Sequence, residues 1–222
     1  MTRPLLITAG ATRNFLDSMR CITANASGKT GAILAAHFPI QCTLLGSPSA
    51  ILHLAIETKT APEEHPTIQT QEFTSTMDLY NKMKDWVEDN PKGIIVHSAA
   101  VGDYAPQERS GTKIASNQEI LSIDLFPTIK ILDHVKKWSH QCLLISFKAA
   151  APTTTPQELT EIAQRQRERS LSDLVFANIL TKTSTDVQIV TAEKTIQYPS
   201  RKDGLLALMN WIRNNREENP VS

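Results

Sequence analysis

The sequence predicts an α/β protein with a mostly parallel central sheet and helices on both faces. Three observations carry this. Short apolar runs alternate with amphipathic stretches along the 222 residues, the β-α-β rhythm that yields parallel sheets. Several of the apolar runs are continuous rather than alternating, as in strands covered on both sides. The composition, 41% hydrophobic and 21% charged, is that of an ordinary globular chain, and this length suits one core. The expectation is a Rossmann-like three-layer fold in a single domain spanning residues 1–222.

The elements follow in order. Strands are predicted at Leu5–Ala9, Cys42–Gly46, Gly93–Ser98, Ile120–Phe126, Leu143–Phe147, Asp173–Ala177 and Asp186–Val190. Helices are predicted at Ser27–His37, Ser75–Asp89, Ile129–Trp138, Pro156–Ser170 and Arg201–Arg216. Thr155-Pro156 reads as a helix start, with proline in the first turn. In the last helix, Leu205, Leu208, Met209 and Ile212 recur at i, i+3, i+4, i+7. Lys59–Pro66 reads as an exposed connection and Asn214–Ser222 as a frayed polar tail. Gly102–Asn117 is long, polar and poor in apolar residues. It follows a strand directly, where a mobile active-site loop is expected, at about 102–117.

Composition excludes several classes. Lys plus Arg equals Asp plus Glu, giving a formal charge of zero; a nucleic-acid-binding chain normally carries a basic excess. No apolar run reaches the roughly 18 residues of a membrane span, and the first residues lack the layout of a signal peptide. The three cysteines, Cys21, Cys42 and Cys142, are widely spaced and suggest neither a zinc site nor a disulfide framework. A cytoplasmic protein without nucleic-acid or membrane partners is the expectation.

Ligands of parallel α/β sheets bind at the carboxyl ends of the strands, so the segments that follow them are the candidates. After the first strand comes Ala9-Gly10-Ala11-Thr12-Arg13: a glycine for a tight turn, a hydroxyl, and a guanidinium suited to phosphate or carboxylate. Ala26-Ser27-Gly28-Lys29-Thr30-Gly31 opens a helix. Its Gly-Lys-Thr invites a P-loop reading, but that motif needs a glycine where Thr23 stands. What survives is a helix start able to bind an anion. No G-x-G-x-x-G follows the first strand, which argues against a dinucleotide-dependent oxidoreductase. Ser98-Ala99-Ala100-Val101-Gly102-Asp103-Tyr104 leaves the third strand with small residues that admit a flat ring and one carboxylate. Lys113, in Gly111-Thr112-Lys113-Ile114, can close over phosphates from its loop. No metal signature stands out.

In this order the motifs resemble the phosphopantothenate–cysteine ligase family, in its stand-alone form. The resemblance rests on Ile7–Arg13, Leu16-Asp17, Arg20, Ser27–Gly31, Ala99–Tyr104, Lys113-Ile114, Ile145–Lys148 and Ala177–Leu180, and spans roughly residues 5 to 215. It implies ligation of 4′-phosphopantothenate to L-cysteine in coenzyme A synthesis, with CTP or ATP as co-substrate and Mg²⁺ on the triphosphate. The substrate carboxylate attacks the α-phosphate, and the cysteine amine then displaces the nucleoside monophosphate. Carried over by position, His97, Ser98, Ala99 and Asp103 line the nucleoside pocket, Phe147 lies near the base, and Pro127, Thr128, Ile129 and Lys130 touch the nucleotide from a helix start. Lys113 contacts the triphosphate. Gly10, Ala11, Thr12, Arg13, Ser27 and Gly28 lie near the anionic substrate. Lys113, Asn25 and Asp103 are the implied catalytic residues. A homodimer is implied as well.

The chain departs from the family's pattern at several positions. The amide expected at 24 is Ala24, with Asn25 one residue later. The second and third loop lysines are Ala115 and Ser116, and the usual Asn-Pro-Asp-Ile is Phe126-Pro127-Thr128-Ile129. Two lysines expected on the helix before Asp173 are Gln166 and Ser170. These changes raise the alternative of a repurposed nucleotide-binding module of the same fold.

Overall fold

A computed structural model describes residues 2–37, 40–60, 67–108, 110–117, 119–182, 185 and 187–217. Most of the connection expected at Lys59–Pro66 and the end of the tail lie outside these residues.

Among the described residues, the strands and helices follow in the order β1 (Leu5–Ala9), β2 (Arg13–Phe15), β3 (Cys21–Thr23), α1 (Lys29–His37), β4 (Cys42–Gly46), α2 (Pro48–Glu57), β5 (Ile68–Glu72), α3 (Thr76–Asp89), β6 (Ile94–His97), β7 (Tyr104–Pro106), β8 (Leu125–Pro127), α4 (Leu132–Trp138), β9 (Leu143–Ala150), α5 (Pro156–Ser170), β10 (Leu174–Ile179), β11 (Val187–Val190), β12 (Thr195–Tyr198) and α6 (Arg201–Arg216). Eight strands form one sheet in the order β12-β11-β10-β9-β6-β1-β4-β5. All neighbouring pairs are parallel except β10–β11 and β11–β12. The expected three-layer α/β architecture is therefore the architecture found.

Strand alternation explains the layers. Leu5, Ile7 and Ala9 of β1, with Ile94 and Val96 of β6, enter a core beneath α1, α2 and α6. Leu6 and Ile95 enter the opposite core, against Leu79, Met83 and Val87 of α3 and Val135 of α4. Because both faces are buried, these strands read as continuous apolar runs. Under α5, Leu159 and Ala163 close on Val175, Ala177 and Val190.

Several elements depart from the sequence expectation. Ile120–Phe126 does not join the sheet. Only Leu125–Pro127 is extended, paired with β7 in a separate two-stranded ribbon. Ser122 and Asp124 interrupt the apolar run, and Ile120, Leu121, Leu125 and Phe126 are exposed. The helix α2 was not expected, yet its start repeats the signal at Thr155-Pro156: the Ser47 side chain accepts from the Ala50 N–H and Pro48 sits in the first turn. β5 and β12 are sheet-edge strands carrying Gln69, Gln71 and Gln197, so their apolar signal is diluted. The helix expected from Ile129 begins at Leu132.

Candidate functional site

Two glycines shape the end of β1. Gly10 has φ 91° and Gly28 has φ 81°, a region that L side chains avoid. They meet backbone to backbone: a Cβ on Gly28 would lie 2.7 Å from Gly10 N and 2.9 Å from Gly10 Cα. This contact seats the start of α1 on the loop after β1. The chain then runs beside the segment leaving β6, with Ala100 N donating to Gly10 O at 2.8 Å and Thr12 N to Ala100 O at 3.1 Å. Thr12 is fully buried. Its hydroxyl accepts from Gly102 N at 2.9 Å and meets the Thr76 hydroxyl at 3.1 Å. Thr12 thus braces the two loops, and its hydroxyl is engaged inside the protein.

A trough runs along the carboxyl edge of the sheet in three compartments. The largest, about 610 Å³, lies between the α1 start and the ends of β6, β9 and β10; Gly10, Asn25, Ser27, Gly28, Ser98, Ala99 and Phe147 line it. A second, about 250 Å³, is lined by Ala11, Arg13, Ala24, Asn25, Ser47 and Ser49. It shares Asn25–Ser27 with the first. A third, about 210 Å³, is lined by His97, Asp103, Ile129, Lys130 and Arg169, and shares Ala99, Val101, Phe147, Lys148 and Gln166 with the first.

His97 is buried, and burial alone pulls its pKa down to about 4. Its Nδ1 lies 2.9 Å from Thr8 Oγ1, which also accepts from Ala99 N at 3.2 Å. The low pKa keeps the ring neutral at pH 7, and the Thr8 hydroxyl fixes its orientation from the Nδ1 side. Ser98 Oγ donates to Thr8 O at 2.7 Å. Phe147 stacks on Phe176 with ring centres 4.8 Å apart. Beneath it, Gln166 Nε2 donates to Ser146 Oγ at 3.0 Å and to Phe147 O at 3.2 Å, and Ser170 and Ser172 complete a buried hydroxyl net. The two helix positions where lysines were expected are thus polar supports for Phe147.

Asp103 is the one carboxylate among the described residues lining the three compartments, and it pairs with Lys130. Thr128 closes over this segment, its N donating to Asp103 O at 2.9 Å and its hydroxyl to Gly102 O at 2.6 Å. Pro127 pairs with Tyr104 in the ribbon. Ile129 and Lys130 therefore line the trough, whereas Pro127 and Thr128 support it.

Lys113 lies outside all three compartments and is exposed. Its loop is tied to the β2–β3 hairpin: Ile114 N donates to Asp17 Oδ2 at 3.0 Å, Arg20 Nη2 to Ile114 O at 2.8 Å, and Ser110 N to Leu16 O at 3.0 Å. The Arg20 guanidinium holds the Asp17 carboxyl well below the usual range; burial opposes this, and the N–H groups of Met19, Ile114 and Arg20 reinforce it. Five further residues line the trough without having been expected there: Lys148, Asn178, Arg201, and Ser47 and Ser49 at the start of α2. Asn178 belonged to a recognisable motif; Arg201 is an isolated arginine far along the chain, with no local signal.

A mostly parallel eight-stranded sheet with a glycine-shaped trough at its strand ends defines a Rossmann-like three-layer α/β protein. Comparison with known proteins narrows the class: residues 1–210 match the family described as DNA/pantothenate metabolism flavoprotein C-terminal domain, and the chain belongs to that family. It is 34% identical over 182 residues to the coenzyme A biosynthesis bifunctional protein CoaBC of Thermococcus kodakarensis, covering 79% of this chain and 41% of that protein. It is 26% identical over 178 residues to the CoaBC of Methanocaldococcus jannaschii, covering 80% and 41%. The chain thus spans about 41% of the length of these relatives. A solved DNA/pantothenate metabolism flavoprotein from Streptococcus pneumoniae superposes with TM-score 0.80 at 26% identity, covering 96% of this chain and 99% of that one. A Cab2 mutant in complex with phosphopantothenate-cysteine shares the fold, with TM-score 0.67 at 16% identity, covering 96% and 88%. The resemblance drawn from the motifs is borne out at the level of family. No helix of the described residues is long and apolar enough to cross a membrane.

Proposed function

We propose that this chain is a phosphopantothenate–cysteine ligase that activates its acid substrate with CTP or ATP. The observation that carries the reading is the trough itself. It joins a glycine-built helix start, the cations Arg13, Lys29, Lys148 and Arg201, and a single carboxylate already paired with Lys130. Such a surface suits a polyanion bound beside a second acidic molecule.

In the proposed reaction a carboxylate oxygen of 4′-phosphopantothenate bonds to the α-phosphorus and pyrophosphate leaves. The cysteine amine then attacks the acyl carbon, loses a proton, and displaces the nucleoside monophosphate with the bridging oxygen. The α1 start and the nearby cations offset charge developing on the phosphates. Asn25 borders both the first and second compartments, where its amide can donate to the acyl oxygen. The neutral His97 borders the third compartment. Mg²⁺ accompanying the triphosphate would supply charge neutralisation there. The described residues hold no cluster of three metal-ligating side chains, and Asp103 is the carboxylate available to touch the complex.

Lys113 reaches this site only if its loop moves, and Asp17 and Arg20 are the anchors such a motion releases. Homodimer formation through the β7–β8 ribbon, where Tyr104, Leu125 and Phe126 are exposed, belongs to the same proposal. Sedimentation of wild type beside a Phe126→Asp variant tests it.

Purified protein given 4′-phosphopantothenate, L-cysteine, Mg²⁺ and each of four nucleoside triphosphates should release pyrophosphate with CTP or ATP. Absence of release with all four refutes the reading. The distance of Lys113 from the trough and the buried net at Gln166 and Ser170 favour a second reading, a repurposed nucleotide-binding module. That reading predicts calorimetric nucleotide binding without pyrophosphate release.

A further inference from the structure

Arg201 opens α6 and lines the largest compartment. Its position is set by three contacts. Nη1 donates to Asn178 Oδ1 at 3.2 Å, Nη2 donates to Thr30 Oγ1 at 2.9 Å, and the guanidinium carbon lies 5.4 Å from the centre of the Phe176 ring. Both oxygen partners are neutral. By contrast, Lys130 and Arg169, in the third compartment, have acids, Asp103 and Asp133. Arg201 forms no ion pair among the described residues, although it is part-buried and burial lowers its pKa.

A guanidinium carries five N–H donors in a planar fork. Two contacts leave several of them uncommitted. The side chain lines the largest compartment, and its Nε is not among the buried polar atoms without a partner. The partner Thr30 lies in the first turn of α1, whose unpaired N–H groups add positive potential to the same space. Two like potentials converging on one cavity, with no protein acid between them, are satisfied by an anion entering from solution. A cation kept part-buried without a counter-ion is costly to the fold alone, which separates this residue from a helix-start arginine on the surface.

We propose that Arg201 binds the phosphate chain of the nucleoside triphosphate, reaching from α6 to meet the start of α1. Asn178 and Thr30 are positioning residues that aim the guanidinium. The proposal rests on the reading of the trough as a nucleotide site, and the test separates the two. Wild type, Arg201→Gln and Arg201→Lys are titrated calorimetrically with ATP, CTP, inorganic tripolyphosphate and the phosphate-free nucleosides, beside the pyrophosphate-release assay. Arg201→Gln should weaken triphosphate and tripolyphosphate binding by about 10- to 100-fold, the range of a lost charge-assisted contact. Nucleoside binding should be unchanged. Arg201→Lys, a point charge without the fork, should recover part of the loss.

Binding by Arg201→Gln within twofold of wild type overturns the proposal, even if its melting temperature falls, because the residue is then only a tie between α6 and α1. Failure of wild type to bind any of the phosphates overturns it too. If the glutamine variant does not fold, Arg201→Lys carries the comparison: weakening of about 3- to 10-fold supports the proposal and no weakening overturns it. Arg201-dependent binding without pyrophosphate release leaves Arg201 as an anchor and removes the ligase reading.

Discussion

Replacing Gly28 by alanine places a methyl carbon 2.4 Å from Ala50 Cβ and 2.7 Å from Gly10 N. One contact is a buried side chain of α2 and the other is backbone, so neither can swing aside. Two costs add. An alanine at φ 81° is disfavoured by about 1–2 kcal/mol, and overpacking a close contact costs about 1–3 kcal/mol. The sum is about 2–5 kcal/mol. For a domain of this size each kcal/mol lowers the melting temperature by about 2–4 °C, so Gly28→Ala should melt about 10 °C below wild type. Gly111→Ala is the control, because a Cβ there meets nothing within 4 Å; it should melt within about 2 °C of wild type. Circular dichroism melts of the three proteins decide the matter. A Gly28→Ala protein melting within about 2 °C of wild type would refute the claim that the Gly10–Gly28 contact builds the wall of the site.

The other predictions concern chemistry and its anchors. Lys113→Ala should cut turnover at least about 10-fold while changing nucleotide affinity far less; initial rates against nucleotide concentration test this, and an unchanged turnover removes Lys113 from the mechanism. Asn25→Ala should slow the overall reaction by about 10- to 100-fold, the scale of one lost oxyanion donor or somewhat less. Wild-type rates in that variant would mean that another donor serves. Asp17→Asn should loosen the Lys113 loop and destabilise the fold at neutral pH. The folded Asp17 carboxyl titrates below its unfolded value, so its contribution is complete above about pH 4 and fades as pH falls further. Urea unfolding of wild type and Asp17→Asn should therefore show a gap that is constant from pH 8 to 5 and narrows in acid. A gap that persists unchanged at pH 2.5 would contradict the role given to Asp17.

How far the site was legible depends on the scale of each signal. The central strands were readable because burial on both faces left them apolar without interruption, as in Leu5–Ala9 and Leu174–Ile179. The site loops were readable because parallel sheets put ligands at strand ends, and Gly10, Ser27, Gly28, Ser98 and Ala99 do line one trough. Legibility failed where partners are distant in sequence. Thr12 looked like a ligand group, yet its hydroxyl is engaged by Gly102 and Thr76. Gln166 and Ser170 looked like lost phosphate contacts, yet they carry the floor under Phe147. Arg201 reaches Thr30 across 171 residues, a proximity that no local pattern encodes. Ile120–Phe126 was expected as a sheet strand, yet only Leu125–Pro127 is extended, in a ribbon with β7, because an apolar run alone does not say whether a second layer covers it.

The account stands most directly on the fate of one oxygen atom. With 4′-phosphopantothenate carrying ¹⁸O in its carboxylate, turnover with L-cysteine, Mg²⁺ and the preferred triphosphate should place one ¹⁸O in the released nucleoside monophosphate and none in pyrophosphate, read by mass spectrometry. Label found in inorganic phosphate, or no labelled monophosphate at all, would contradict a ligase that forms an acyl-nucleotide in this trough.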